Sequence, residues 1–462
     1  MSKVIGWKLA SEAPAGGIKV GGAAMEFSAL EESVFSKLAA DYAQLVESSE
    51  LPMVSDLPAF ERLVKQLCSV YGVKLGKPAQ QKLACAAYHT FSGKGPLDFL
   101  LAGNDFEEIS FVGTAEPVYV FSRKNSAWLA TNCYICSDKY ATNLVNRIAS
   151  KSGLRMSYAT PRLDARLDGG ERLHAACPPV SPSGVSFSIR LFPQSKLDLS
   201  CLIARSAIDA KAAAFLWFAM QSDCSIIVAG NTGGGKTTLL NAMADLVGLD
   251  ERIVIVEDTP ELSLAQKHVA RLVANKTPMS DLVKDTLRMR PDRVFVGEVR
   301  AAADSRALFD CLLSGQAKGT YATFHSDSAS ECLSRLRLLG AGEHELSALD
   351  LIVVARRIPV YDIATRHGTE LRRVTEICEV AFRGAEAYAR PLFLYDPQSD
   401  RMRFLGLGEG PLKKKFFSCL RGATKVGFEK EWARREEFLA ASNGGSLASL
   451  ADGYLYPEKL RT

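Results

Sequence analysis

Residues 230–238 read GNTGGGKTT. The first eight fit G-x-x-x-x-G-K-[ST], with Gly230, Gly235, Lys236 and Thr237 at the fixed places. No other stretch constrains the fold as strongly. The pattern requires a strand that delivers the chain, a glycine-rich turn that bares backbone N–H groups, and a helix whose N-terminus faces the same point. SIIVAG before the turn and KTTLLNAMADLVG after it supply that strand and helix. Such a turn cradles the phosphates of a nucleoside triphosphate. Lys236 is expected to reach the β- and γ-phosphates, and Thr237 to offer its hydroxyl to Mg²⁺. Gly233, Gly234 and Gly235 let the backbone approach closely; Asn231, Thr232 and Thr238 complete the loop. What the bound energy drives is not written in the loop itself.

The surrounding rhythm fixes the fold class. From about Ser206 the chain alternates strand and helix: SIIVAG, KTTLLNAMADLVG, ERIVIVED, MSDLVKDTLRMR, DRVFVGEVR, SRALFDCLLSG, GTYATFHSD. This is the pattern of an α/β domain with a mostly parallel sheet and helices on both faces. RRVTEICEVAF, PLFLYD and RMRFLG read as later strands, and a charged helical tail begins near Gly410. Upstream, residues 1 to about 22 are rich in Gly, Ala and Ser and are expected to be loosely ordered. FSALEESVFSKLAADYAQLVE and FERLVKQLCSVYG carry helical periodicity. After Gly93–Gly95, EISFVG, PVYVF, WLATNCYI, RLHAACPPV and VSFSIRLF read as strands around the helix DKYATNLVNRIASKSG, a mixed α+β domain. The expected divisions are residues 1–92 (flexible N-terminus and helical segment), 93–205 (α+β), 206–410 (phosphate-loop domain) and 411–462 (helical tail).

The strand ends carry the chemistry. In an open α/β sheet, ligands sit beyond the carboxyl ends of the strands. IVIVEDTPEL ends a strand with Glu257, Asp258 and Glu261; Glu257 is best placed to orient or deprotonate an attacking water, unless the acids simply form a capping turn. RVFVGEVR ends in Glu298, a candidate to hold Mg²⁺ through water or to share the polarising role, with Gly297 letting the backbone pass close to the loop. TYATFHSDS ends a third strand at His325, which can sense a γ-phosphate by donating a hydrogen bond. Arg288, Arg290 and Arg293 precede the second of these strands, and Arg162, Arg166, Arg172 and Arg190 lie in the upstream domain. These are surface or ion-pairing residues, or arginines supplied to a phosphate site by a neighbouring domain or subunit.

Composition narrows the setting. A net charge of +4 over 462 residues is not the basic footprint of a dedicated nucleic-acid binder, and no nucleic-acid partner is expected. The longest apolar run, Ala212–Met220, is far short of the ~20 residues of a membrane span. No signal peptide is evident, so a cytoplasmic protein without its own span is expected. Eleven cysteines include Cys133 and Cys136 in C-x-x-C spacing, without the second ligand pair of a zinc site, and are read as reduced structural thiols.

Taken together, GNTGGGKTTLLNAM, RIVIVEDTPEL, LRMRPDRVFVGEVR and TYATFHSDS resemble, in order and spacing, the Walker A, Asp-box, Walker B and His-box motifs of the type II/type IV secretion ATPase superfamily. GPLDFLLAGNDFEEISFVGTAEPVYVF and PRLDARLDGGERLHA look like its archaeal branch, the archaellum and type IV pilus motors. The chain departs from the family at Ala301–Ala302, at Gln316 and in the His-Ser-Asp of its His box. The resemblance implies a RecA-like ATPase domain preceded by a PAS-like α+β N-domain and a helical segment. It implies ATP and Mg²⁺ as cofactors, a homo-hexamer, and a polytopic membrane platform protein as partner at the inner face of the cell membrane. It also implies that Glu257 activates water, that Glu298 and His325 take the Walker-B and His-box roles, and that Arg172 and Arg190 reach the phosphates. A nucleic-acid or conjugation motor and an ATP-binding regulator are the alternatives.

Overall fold

A computed structural model of the chain describes residues 6–20, 25–47, 56–102, 105–125, 127–167, 169–191, 197–274, 277–362, 366–419, 424–442 and 454. Its contacts gather into two compact units, Met1–Gln194 and Ser195–Thr462.

In the N-terminal unit the strands are β1 (Trp7–Leu9), β2 (Phe106–Phe111), β3 (Pro117–Ser122), β4 (Ala127–Ile135), β5 (Arg162–Arg166), β6 (Arg172–Ala176) and β7 (Ser186–Arg190). Among the described residues they form one sheet in the order β1-β4-β3-β2-β7-β6-β5, antiparallel throughout. The helices are α1 (Ala29–Glu47), α2 (Leu57–Val70), α3 (Lys77–Ala87), α4 (Leu97–Leu101) and α5 (Asp138–Ile148).

The N-terminal stretch departs from the sequence expectation of loose order. Trp7 and Leu9 are fully buried as β1 pairs with β4, and the Asn132 side chain accepts from Val20 N and donates to Ala10 O. Residues 1–5 and 21–24 lie outside the described residues. The helical segment is likewise not separate from the sheet. Helix α2 buries Phe60, Val64, Leu67 and Cys68, and α3 buries Leu83, Ala84, Ala86 and Ala87, in the same core as Ile109, Val120 and Ile189 of the strands. An amphipathic stripe of this kind needs a partner face: Phe60 of α2 meets Tyr42 of α1 and Phe91, and the helices share one core with the strands.

In the C-terminal unit, α6 (Leu199–Ala204) and α7 (Ala210–Gln221) lead into β8 (Ile226–Ala229) and α8 (Lys236–Met243). Then follow β9 (Ile253–Glu257), β10 (Val269–Val273), α9 (Met279–Thr286), β11 (Arg293–Val299), α10 (Ala302–Ser314), β12 (Gly319–Phe324), α11 (Ala329–Leu338) and α12 (Glu343–Leu346). Strands β13 (Leu351–Asp362), β14 (His367–Arg383), β15 (Glu386–Asp396) and β16 (Arg401–Phe404) precede α13 (Pro411–Cys419) and α14 (Lys425–Ala441). The sheet order is β10-β9-β11-β12-β8-β13-β14-β15-β16 among the described residues. Pairs from β10 to β13 are parallel and those from β13 to β16 antiparallel.

Helix α7 is apolar on all sides and every residue of Ala212–Met220 is buried. Its outer faces are covered by the tail: Leu412 and Phe416 of α13 and Phe428, Trp432 and Leu439 of α14 join its core, and Trp432 Nε1 donates to Lys211 O at 2.9 Å. Residues 411–419 and 424–442 are thus built into this unit. Residues 443–453 and 455–462 of the tail lie outside the described residues. Among the described residues no helix is long and apolar enough to cross a membrane.

Candidate nucleotide site

The parallel strands place the sequence-predicted residues on one edge. In the order β9-β11-β12-β8, the carboxyl ends carry Glu257, Glu298, His325 and the 230–236 turn side by side. Strand β8 is wholly buried and rigidly delivers the turn. Gly230, Gly233 and Gly235 have φ of 154°, 72° and 95°, values in the region that favours glycine. A Cβ on Gly230 or Gly234 would overlap the Ala355 carbonyl oxygen of β13. Gly235 is the N-cap of α8 and offers no side chain to its first N–H groups, which remain available to a ligand. Lys236 Nζ donates to Gly230 O and Asn231 O, both at 3.0 Å, which holds the ammonium inside the loop. Thr237 and Thr238 open the helix and are half-buried.

His325 reaches the loop directly: its Nε2 lies 3.0 Å from Thr232 Oγ1. Its backbone is held by the Arg335 guanidinium, which donates to His325 O and stacks over Phe324.

Glu298 sits where the β11–β12 register shifts between Val296 and Val299. A bulge of this kind re-aims a side chain out of the regular pleat. Its Oε2 accepts from Arg300 Nε at 2.9 Å and Nη2 at 2.6 Å, and Arg300 Nη1 also lies 3.2 Å from Asp258 Oδ2. One guanidinium therefore bridges the acids of two neighbouring strand ends. Gly297 does allow a close approach, but to β9 rather than to the loop: a Cβ there would lie 3.1 Å from Glu257 Cγ.

Glu257 differs most from the sequence reading. It is 1% exposed, and both oxygens are engaged. Oε1 accepts from Glu261 N at 2.8 Å and Leu262 N at 2.9 Å; Oε2 meets Arg271 Nη1 of β10 at 2.5 Å. Arg271 also donates to Leu262 O. Burial pushes the Glu257 carboxyl above its usual range, opposed by the two N–H groups and by Arg271. As placed, this carboxylate shapes the 258–262 turn. That turn is not the start of a helix, as a capping reading would have it. The residue the sequence reading overlooked is Arg271; its strand, β10, follows a loop and was not recognised as sheet.

Of the arginines, Arg293 is internal: it is 4% exposed and bonded to Glu251, Met220 O and Tyr321. Arg172 and Arg190 belong to the N-terminal unit and face each other across β6 and β7, with Arg166 next in the same row on β5 and Glu108 on β2. Three arginines and one acid thus share one cross-strand row.

Cys133 is buried, Cys136 half-buried, and the described cysteines are free thiols. Among the described residues no group of three His, Cys, Asp or Glu side chains could hold a metal ion.

The family model of the type II/IV secretion system protein matches residues 137–383. An uncharacterized protein of Methanocaldococcus jannaschii is 33% identical over 282 residues, which are 57% of this chain and 38% of that protein. A putative conjugal transfer protein of Mycobacterium tuberculosis is 39% identical over 212 residues, 43% of this chain and 60% of that protein. The chain thus spans about 38% and 60% of the lengths of these two relatives. Among solved structures, the VirB11 ATPase from the Brucella suis type IV secretion system is 21% identical, with a TM-score of 0.31 over 62% of this chain and 92% of that one.

Proposed function

The chain belongs to the type II/IV secretion system protein family, and we propose that it is an ATP-hydrolysing, homo-hexameric motor for a type IV pilus-like filament, archaellum or secretion machine. It would act from the cytoplasmic side, docked on a polytopic membrane platform protein. The observation that carries the reading is the joining of the 230–238 loop to the end of β12, through Thr232 Oγ1 and His325 Nε2 at 3.0 Å.

In this reading the N–H groups of Gly230–Gly235 and Lys236 bind the phosphates, and Asn231, Thr232, Thr237 and Thr238 hold the loop and helix start in register. Mg²⁺ would neutralise phosphate charge. The Thr237 hydroxyl and the Glu298 carboxylate would hold it. The donor set fits: one hydroxyl and one carboxylate, completed by phosphate and water, is how Mg²⁺ is commonly bound beside nucleotides. Glu298 also orients the attacking water. His325 reads the γ-phosphate through Thr232, so that loss of the phosphate is felt at β12. Glu257 acts at one remove, fixing the turn that presents Asp258 and Glu261. Arg172 and Arg190 would be the arginines that reach nucleotide phosphate.

The test is Mg²⁺-dependent phosphate release by the full chain, with Lys236→Ala and Glu298→Gln as variants. Release that both variants abolish supports the motor. Nucleotide binding without release points to a regulator. Stimulation by single-stranded DNA points to a nucleic-acid or conjugation motor.

A further inference from the structure

We propose that Arg357 is a further nucleotide-binding residue, a phosphate ligand supplied by the same unit as the loop, and that Asn231 positions it. The inference rests on reading residues 230–238 as a nucleotide site.

The argument begins with strand periodicity. Along β13, Leu351, Val353 and Ala355 enter the core that also contains Leu239 and Leu240 of α8, whereas Ile352 and Val354 enter the opposite core. Alternate residues share a face. Arg357, two beyond Ala355, therefore falls on the face against which α8 packs. Ala355 on that face is pressed against the loop at Gly230 and Gly234. Arg357 is then the next side chain offered to the loop. Its guanidinium flanks Gly233: a Cβ built there would lie 3.6 Å from Nη1, 3.7 Å from Cδ and 3.9 Å from Cζ. A Cβ at position 233 would be in van der Waals contact with the arginine, which places the guanidinium against the loop.

The arginine's backbone is clasped to the loop. Asn231 Nδ2 donates to Arg357 O at 3.1 Å, and Arg357 N donates to Asn231 Oδ1 at 2.9 Å. The asparagine thus mimics a strand partner for this one residue. Nothing in G-x-x-x-x-G-K-[ST] demands an asparagine at the second place. The clasp gives that position a task, which is to fix the arginine relative to the phosphate cradle.

The pairing of Arg357 leaves it exchangeable. It meets Glu370 across the hairpin at 3.5 Å, with side chains 37% and 31% exposed. A half-exposed pair at this separation contributes little. A nucleotide phosphate in the adjacent cradle offers a bidentate partner of higher charge density, so the guanidinium exchanges one for the other.

The experiment is equilibrium binding of MgADP, MgATP and adenosine to the full chain, comparing wild type with R357A, R357K and E370Q. R357A is expected to weaken both nucleotides by at least about tenfold and leave adenosine unchanged, with R357K recovering part of the loss. E370Q removes the competing acid and is expected to bind nucleotide as well as or better than wild type. If the ion pair merely braces the hairpin, R357A and E370Q weaken binding alike, and the proposal is overturned. It is overturned equally if R357A binds as wild type does. Should R357A fail to fold, R357K and E370Q still give opposite signs for the two cases. A separate K236A control marks failure of the nucleotide reading itself, because binding that ignores K236A is not in this loop.

Discussion

Replacing Glu257 separates two roles that the sequence leaves equivalent. If its carboxylate activates water, Glu257→Gln costs about 10²–10⁴ in hydrolysis and leaves stability alone. The structure leads to another outcome. Gln keeps an oxygen that can accept from Glu261 N and Leu262 N, and its amide displaces only Arg271, which is 30% exposed and can turn to solvent. The buried amide NH₂ left facing Arg271 then costs about 1–3 kcal/mol, and hydrolysis stays within about tenfold of wild type. Glu257→Ala instead removes the acceptor of two N–H groups, of which Leu262 N is buried. Stranding such groups costs about 3 kcal/mol in all, or about 6–12 °C in Tm for a unit of this size.

Titration gives a second readout. Burial raises the folded-state pKa of Glu257 above its ordinary 4.5. The group therefore favours folding most below pH ~4.5, and that contribution is lost as pH rises through the folded value. Gln does not titrate, so the stability advantage of wild type over E257Q should shrink with rising pH. Calorimetry from pH 4 to 8 with parallel phosphate-release assays tests both. An E257Q that melts like wild type yet hydrolyses nothing would refute the structural role.

Gly230→Ala places a methyl on the Ala355 carbonyl and is expected to abolish nucleotide binding while destabilising the unit by about 2 kcal/mol; tight binding would show that the loop is not pinned to β13. Arg300→Ala removes the guanidinium from Glu298, and the Mg²⁺ needed for half-maximal hydrolysis should fall by up to about fivefold; an unchanged midpoint argues against Glu298 as a metal-holding group. Asp400 is held at about 2 by its hydrogen bonds with Arg373, and so stabilises above its ordinary 3.8 and loses that effect as pH falls towards 2. Because Asp400 is 44% exposed, solvent screening limits this to about 1 kcal/mol. Asp400→Asn suits the positive φ there and should remove the acid-range slope in a urea titration.

The sequence made the phosphate loop and its neighbours legible because strand–turn–helix alternation and acid-ended β-branched runs are local signals. Lys236, Glu298 and His325 stand at one sheet edge as that alternation implies. What escaped depends on pairing between distant segments. Strand β10 is Val-Ala-Arg-Leu-Val at the sheet's edge, with none of its residues fully buried, and its Arg271 occupies the carboxylate that sequence reasoning ranked first. Strand β1 is three residues in a Gly- and Ala-rich stretch, recognisable only once Ile135 and Cys133 lie beside it. The long β13–β14 hairpin was read in its second strand alone, so neither the Ala355 buttress nor Arg357 could be connected to the loop.

The covering of α7 by α13 and α14 has a consequence for how the chain is made. About 200 residues separate the end of α7 at Gln221 from the start of α14 at Lys425. At ribosomal speeds of about 5–20 residues per second, Phe215, Trp217 and Phe218 wait roughly 10–40 s for their cover. During that interval the apolar stretch Ala212–Met220 lacks the cover that α14 supplies. Synthesis of this protein should therefore lean on holding chaperones, and prematurely terminated chains should be its most aggregation-prone products.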